Sequence, residues 1–532
     1  MPIIRKLQRR KHSLGGKSGK TPTLPPSRTD ASSLADGQSL QVRLDWMKQE
    51  LKDSSDIIYR EFTISSGQPC ALVYVRGMIA QETVQQFIVR SLQREASLLQ
   101  EKDIYQFLFE DKALSVSQAT VIDDLNQAIQ AILNAEALLM IDGDKRMLTF
   151  SISAYPTRSI DEAPNESVIR GSREAFIEDL EKNLTMIRRR IKSPHLKTPT
   201  VNKGRETRTS IVLAYMENIC KPELLKEVQR RMSNIDMDGI LGSAYVEEII
   251  EDNPYTPFPQ LQYTERPDVV VAAILEGRIA IIVDGSPIAL LAPVTLPMLL
   301  QSAEDYYQRY VAANWIRWIR YFFVVASLTL PSIYIAVTTF HPEMIPSQLL
   351  ITIAASREIV PFPALWEAFA MELAFEALRE ASIRIPKSVG QAVSIIGALI
   401  IGTAAVQAGI VSAAMVIIVS ITGIASFIIP HFDLGLAFRL LRFPIMILAS
   451  MFGLYGVTCG LILIYIHLVN LESFGLPYLS PIAPLMGKDL GDTFIRVPWW
   501  KMHKRPMQLS NNENRQNSNP RSWVKEKKGD FE

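Results

Sequence analysis

Four uncharged or nearly uncharged runs crowd the C-terminal part of this 532-residue chain, at 318–340, 389–408, 410–430 and 443–469. Each is about 20 residues or longer, the length an α-helix needs to cross the hydrocarbon core of a bilayer. No soluble core needs four such runs in close succession, so the chain is expected to be an integral, multi-pass membrane protein. Arg317 and Arg320, with Trp315, Trp318 and Tyr321, stand at the head of the first run. That is the arrangement of a cytoplasmic interface with its aromatic belt. Gly390, Gly397, Gly402 and Gly409 punctuate the second run and Gly453, Gly456 and Gly460 the fourth, where small residues let helices approach closely. The 48% hydrophobic content of the whole chain averages this part with a more polar one before it.

Residues 1–40 hold Arg5, Lys6, Arg9, Arg10, Lys11, Lys17, Lys20 and Arg28 before the first acid, Asp30. The expectation is a disordered basic tail, either solvated or drawn to anionic lipid headgroups. It carries no apolar secretory core, so the N-terminus is expected in the cytoplasm. Two α/β subdomains are expected at 41–160 and 161–300, with their boundary in the Pro/Ser/Asn stretch near 154–165. Strand-like runs lie at Cys70-Ala-Leu-Val-Tyr-Val, at 208–215 and at 269–275, rich in β-branched residues and short. Gly277 and Gly285 bracket a further buried strand. Ala175, Ile177, Leu180, Leu184, Ile187 and Ile191 recur at helical spacing, and Arg188, Arg189, Arg190 and Lys192 suit the negative end of that helix. The arginines read as a solvated helix end, or as a contact for a partner or lipid. The run 288–300 is too short to span and is broken by Pro293 and Pro297, which makes it an interfacial or packed segment. The fold expected is therefore an α+β soluble N-terminal region of two α/β subdomains, followed by an all-α polytopic membrane domain at 301–480 and a cytoplasmic basic C-terminal tail at 481–532.

A net charge of +1 argues against a uniformly basic nucleic-acid binder. Cys70, Cys220 and Cys459 are too few and too far apart for a disulfide framework or a CxxC metal site, and read as small buried hydrophobes. No P-loop, GxSxG, HExxH or metal cluster is present. No enzyme, metal or cofactor is expected, and no catalytic residue is assigned.

The unusual stretch is 355–380, apolar yet acidic. Glu372, Glu376 and Glu380 repeat every four residues along one helical face, with Glu367 near that face and Arg379 available for pairing. Two readings stand. In a symmetric oligomer the stripe becomes rings of carboxylates, as cation channels use; alternatively the helix lies at the membrane surface with its acids in water. His341 and Glu343 end the first run and are expected in a loop, since one His and one Glu do not make a metal site. Asp433 is expected to cap a helix. Both basic ends on the cytoplasmic side require an even number of crossings, yet four spans would put Arg379, Arg384 and Lys387, and then Arg439 and Arg442, outside. Either 349–378 is a further, partly polar span or some segment is re-entrant.

Several longer motifs occur in order: Arg170-Gly-Ser-Arg-Glu-Ala-Phe, Glu251-Asp-Asn-Pro-Tyr-Thr-Pro-Phe-Pro-Gln, Phe340-His-Pro-Glu-Met-Ile-Pro, Ala354-Ala-Ser-Arg-Glu, Val360-Pro-Phe-Pro, Met371-Glu-Leu-Ala-Phe-Glu, Leu440-Leu-Arg-Phe-Pro and Pro477-Tyr-Leu-Ser-Pro-Ile-Ala-Pro. Together they resemble the GerA family of spore germination receptor A subunits, most clearly over 170–500. The resemblance singles out Arg357, Glu358, Pro361, Pro363, His341 and Glu343 as family-motif residues. It implies a subunit of a nutrient germinant receptor in the spore inner membrane, partnered by a transporter-like B subunit and a lipoprotein C subunit, surrounded by membrane lipid. It further implies a homo-oligomer, about a pentamer, that releases cations when nutrient is sensed. The alternatives are an A-subunit paralogue that assists dipicolinate or ion release without sensing nutrient, or a solute transporter. The last predicts inverted repeats with broken helices, and no internal repeat is visible.

Overall fold

A computed structural model describes residues 39–64, 67–94, 105, 108–109, 119–154, 166, 168–384, 402–487, 489–512 and 514–515. The chain divides into two compact units. The first comprises Met1–Glu50, Tyr59–Tyr74 and Gln81–Ile152; the second comprises Leu51–Ile58, Val75–Ala80 and Ser153–Glu532. The basic tail expected at 1–40 and the boundary stretch near 154–165 lie almost wholly outside the described residues, as does most of the second apolar run.

The first unit is built on a sheet ordered β1-β2-β4-β5-β3. Its strands are β1 (Ile57–Thr63), β2 (Pro69–Val75), β3 (Ala119–Ile122), β4 (Ala137–Ile141) and β5 (Met147–Phe150). Strands β4 and β5 are buried at every residue, so their near-continuous apolar sequence suits a strand covered on both faces. Helix α1 (Leu40–Glu50) buries Leu40, Leu44 and Met47 at helical spacing. In α2 (Leu125–Leu133), Asp124 accepts from the Asn126 backbone N–H and caps an apolar stripe of Leu125, Ala128, Ile129 and Ile132.

The second unit opens with an antiparallel sheet ordered β6-β8-β10-β11-β9, with β7 also paired to β8. These strands are β6 (Leu196–Lys197), β7 (Thr200–Lys203), β8 (Thr209–Met216), β9 (Gln262–Thr264), β10 (Ile279–Val283) and β11 (Ala289–Ala292). Alternation divides its two faces. Ile211, Leu213, Ile279, Ile281 and Leu290 pack against α4 (Pro222–Ser233) and α5 (Ser243–Ile250). Val212, Ala214, Ala280, Ile282 and Leu291 pack against α3 (Leu180–Arg190) and α6 (Pro267–Glu276). A sheet buried on both faces by helices follows from strands whose odd and even positions are equally apolar.

Three local expectations change. The run at 269–275 belongs to α6: Pro267 opens the helix and Gly277, at φ 101°, closes it in the left-handed conformation, the Pro-first, Gly-last punctuation of a helix. Helix α3 begins at Leu180 because Asp179 caps it, accepting from the backbone of Glu181 and Lys182; Ala175 and Ile177 precede it. Arg188 is buried, so the arginine run is not simply a solvated end. The segment 288–300 is packed, forming β11 and a short helix, Leu296–Leu299.

The apolar helices follow: α7 (Tyr310–Phe340), α8 (Ser347–Glu358), α9 (Ala364–Arg384), α10 (Ala413–Phe427) and α11 (Phe432–Asn470). Two of them, α7 and α11, are long and apolar enough to cross a membrane. Yet α11 is not straight. Gly453 sits at φ 62°, ψ −142° inside it, a conformation open to glycine and closed to side-chain-bearing residues. Beyond it the chain reverses: a side chain on Gly460 would stand 3.3 Å from Ile445 and from Leu448, residues that a straight helix would hold about 20 Å away. Likewise Phe438 and His467 both pack on Phe258, with ring centroids at 5.9 and 6.0 Å. The run 443–469, expected as one span, is therefore shared between two antiparallel arms of roughly 20 residues each. Gly456 and Gly460 lie where the arms touch, the close packing expected of them.

Candidate functional site

The charged groups of the apolar helices converge where α9 meets α10 and α11. Helix α9 starts after Pro363, whose carbonyl accepts from the backbone of Trp366 and Glu367. Its apolar positions Ala364, Ala368 and Met371 enter the core shared with α7, α10 and α11. Glu367 and Glu372 lie on the same buried side, so the helix carries two carboxylates into an apolar layer.

Each has a positive or N–H partner. Glu367 accepts from the Ser412 backbone at the head of α10, at 2.9 Å, and Arg357 approaches it at 3.4 Å. Glu372 is paired with Arg442 of α11, both buried. Glu376 is paired with Arg379 and stands 3.7 Å from Arg439. Glu380 is exposed and paired with Arg384 one turn on. The structure thus brings Glu367, Glu372 and Glu376 together with four arginines and leaves Glu380 at the rim. Glu376 keeps 28% of its side chain accessible, whereas Glu372 keeps 3%. The cluster is unevenly satisfied: Nε and Nη2 of both Arg439 and Arg442, Oε1 of Glu372 and Oε1 of Glu367 are buried without a hydrogen-bond partner among the described residues.

The remaining motif residues lie elsewhere. Glu358 and Glu343 are exposed, as are Pro361 and Pro363. His341 ends α7 beside the Gly453 turn, and its Nδ1 is buried without a partner among the described residues. Asp433, expected to cap the helix, falls in the first turn of α11, two residues after His431, which holds the cap position. Arg439 and Arg442, expected in a loop, are buried in the first arm of α11. Their signal in the sequence was a pair of arginines three residues apart leading directly into an apolar run; what it did not disclose was which acids would face them. Among the described residues no group of three or more His, Cys, Asp or Glu could hold a metal ion.

The contacts also give the helices a direction. Phe340 at the end of α7 meets the Gly453 turn, and α9 and α10 lie side by side in the same sense: Glu367 meets Ser412, and Phe375 lies against Gly423. Helix α10 ends near Gly435, at the base of the first arm of α11. Arg379, Arg439 and Arg442 consequently lie toward the base of the arms, and the turn at Gly453 lies at the opposite end with Phe340.

A protein family described as Bacillus/Clostridium GerA spore germination protein matches residues 45–508. Among curated relatives, the uncharacterized membrane protein YfkQ of Bacillus subtilis is 46% identical over 85% of this chain and 88% of its own length. Spore germination protein KA of the same organism is 45% identical over 89% and 87%, and spore germination protein GerLA of Bacillus cereus is 38% identical over 87% and 94%. A crystal structure of the N-terminal domain of the A subunit of the Bacillus megaterium spore germinant receptor GerK3 is 35% identical, covering 48% of this chain and 95% of that one at a TM-score of 0.39. A match running through both units, with relatives this similar along nearly their whole length, shows that the chain belongs to the GerA family of spore germination proteins.

Proposed function

We propose that the chain is the A subunit of a nutrient germinant receptor of the spore inner membrane, acting with B and C subunits, and that several copies enclose a path for cations. Supporting this reading is the set of carboxylates that α9 carries into an apolar helical layer. Ionisable groups in such a layer are costly and are kept where they face protein or a water-filled path. The expected topology problem is eased by the same helices. If α9 crosses in the opposite sense to α7 and the arms of α11 form an up-and-down pair, Arg379, Arg384, Arg439 and Arg442 all fall on the side of the basic ends, as the positive-inside rule asks.

In this arrangement the carboxylates are neutralised by arginines of α9 and α11. We assign it to the closed path. Opening moves α9 away from the first arm of α11, freeing Glu372 and Glu376 to offer negative charge to a cation. Glu376, partly accessible and held by a long contact to Arg439, is the first to be released. The test is potassium release from spores after nutrient addition, with Glu376→Gln and the double Glu372→Gln, Glu376→Gln variant compared with the parent at equal receptor level. Reduced release with the complex still assembled supports the path. Unchanged release removes the carboxylates from it, and a strictly monomeric chain in an active complex removes the channel altogether.

A further inference from the structure

Residues after the second arm of α11 return to the head of α7 and run along it in the opposite direction. Tyr321 donates to the Thr493 carbonyl at 2.5 Å and stacks on Phe494 at 5.6 Å; Trp318 Nε1 donates to the Phe494 carbonyl at 3.1 Å. One turn lower, Asn314 exchanges two hydrogen bonds with the Arg496 backbone, and lower still Tyr310 meets Trp500. The register is pinned from the inside by buried charge. Arg317 donates to the Asp492 carbonyl and carboxylate and reaches Asp305, which Arg320 also holds at 2.8 and 3.0 Å.

This clamp sets Phe494 and Ile495 at the height of Trp318 and Phe322, where the apolar run of α7 begins. Trp315, Trp318, Phe322 and Val325 follow one another at steps of three and four residues and form an outward stripe. These four together with Phe494 and Ile495 are all between 47% and 69% exposed. The stripe ends at Val325, since the next positions on that face, Thr329, Ser332 and Ala336, are buried; it occupies the head of a helix long and apolar enough to cross a membrane, the part that meets the lipid headgroup layer, where Trp is the favoured residue.

We propose that residues 490–500 form an interfacial collar: a C-terminal segment clamped to α7 that inserts Phe494 and Ile495 into the headgroup layer beside Trp315 and Trp318. The occupant of this face is lipid, because the face gathers exposed Trp and apolar side chains at the head of a helix long and apolar enough to cross a membrane. The collar fixes the depth and tilt of α7 and ties the C-terminal segment to the membrane surface. The proposal rests on the membrane reading of α7 and α11 given above.

The experiment uses the full chain with Cys459→Ser, reconstituted in phospholipid vesicles, with an environment-sensitive fluorophore attached at one introduced cysteine. Cys70 and Cys220 are buried, and the parent without an introduced cysteine gives the background. Ile495→Cys and, as a second position, Phe494→Cys are compared with Leu463→Cys on the second arm of α11 and Tyr255→Cys in the water-exposed part; all four native side chains are exposed. The collar predicts blue-shifted emission at 495 and 494. Nitroxide lipids labelled near the headgroup should lower that emission about twofold and chain-end nitroxides less, as for a side chain about 5–10 Å into the boundary. Quenching at 463 with none at 495 and 494 overturns the collar and leaves the membrane reading standing. Blue-shifted but unquenched labels show that protein covers the face, which also overturns it. No quenching at 463, 494 or 495 overturns the membrane reading and the collar with it.

Discussion

Arg188 in the soluble part of the second unit and Arg442 in its helical layer are both almost wholly buried against a carboxylate, yet the two sites are finished differently. Arg188 grips Asp56 with Nε and Nη2, both at 2.8 Å, and gives Nη1 to the carbonyls of Ser193 and Leu196; Asp56 also accepts from Thr198 at 2.9 Å. Nothing in that site is left over. Arg442 uses one nitrogen on Glu372, leaving its Nε and Nη2 and the second Glu372 oxygen buried without partners among the described residues. A completed buried pair is a fastening, stable because every donor is met. An incomplete one, in a layer where each unmet polar group costs free energy, is closer in energy to its separated state. The same residue types therefore make a fixed joint in one region and, in the path proposed above, a releasable one in the other.

The largest effect should come from breaking the fastening. Asp56→Ala or Arg188→Ala leaves an uncompensated buried charge and is expected to cost about 3–5 kcal/mol. Thermal unfolding of the detergent-solubilised chain measures it, with the exposed Arg205–Asp236 pair as the near-silent control; equal shifts at the two pairs would erase the distinction. Gly453→Ala comes next. Its φ of 62° strains any side chain, and the added Cβ would stand 2.8 Å from His341 and 3.0 Å from Phe340, so a loss of about 1–3 kcal/mol is expected. Circular dichroism melting of the helices would show whether the turn tolerates the methyl group.

The releasable joint should respond in the opposite way to the fastening. Replacing both members by apolar residues, Glu372→Leu with Arg442→Met, is expected to be neutral or to stabilise by about 1–4 kcal/mol while lowering potassium release. A double variant that unfolds, or that releases potassium normally, contradicts the contrast. The remaining effect is a pH one. Burial, aided by Glu251 and then Asp433, pushes the Glu247 carboxyl up to about 8. The folded chain then holds a proton that the unfolded chain has released at neutral pH, so stability should fall as pH rises from the ordinary carboxylate range toward about 8. Glu247→Gln should remove that slope, with melting temperatures of variant and parent converging in acid; parallel curves across the range would show that Glu247 is ionised in the folded state.

Length, apolarity and local punctuation already determined much of this protein. The long apolar helix α7 follows from an apolar run with an aromatic and basic head, β2, β8 and β10 follow from short β-branched runs, and the ordered motifs identified the family, because each of these signals is contained within a few turns or one strand. The reading of 269–275 failed because an apolar run of that length suits a strand as well as a helix; the Pro267 and Gly277 flanking it carried the deciding information. Tertiary structure alone decided the rest. Glycine at 453 permits a reversal without dictating one; the packing of Gly456 and Gly460 on the opposite arm selects it. Glu372 could have faced water, a lumen or another helix, and only the approach of α11, 70 residues later, gave it Arg442. Arg188 was one of three adjacent arginines until Asp56, 132 residues earlier, distinguished it. Spacing along a helix tells which side chains share a face, but the partner of a buried charge is set by whichever distant element best repays its desolvation.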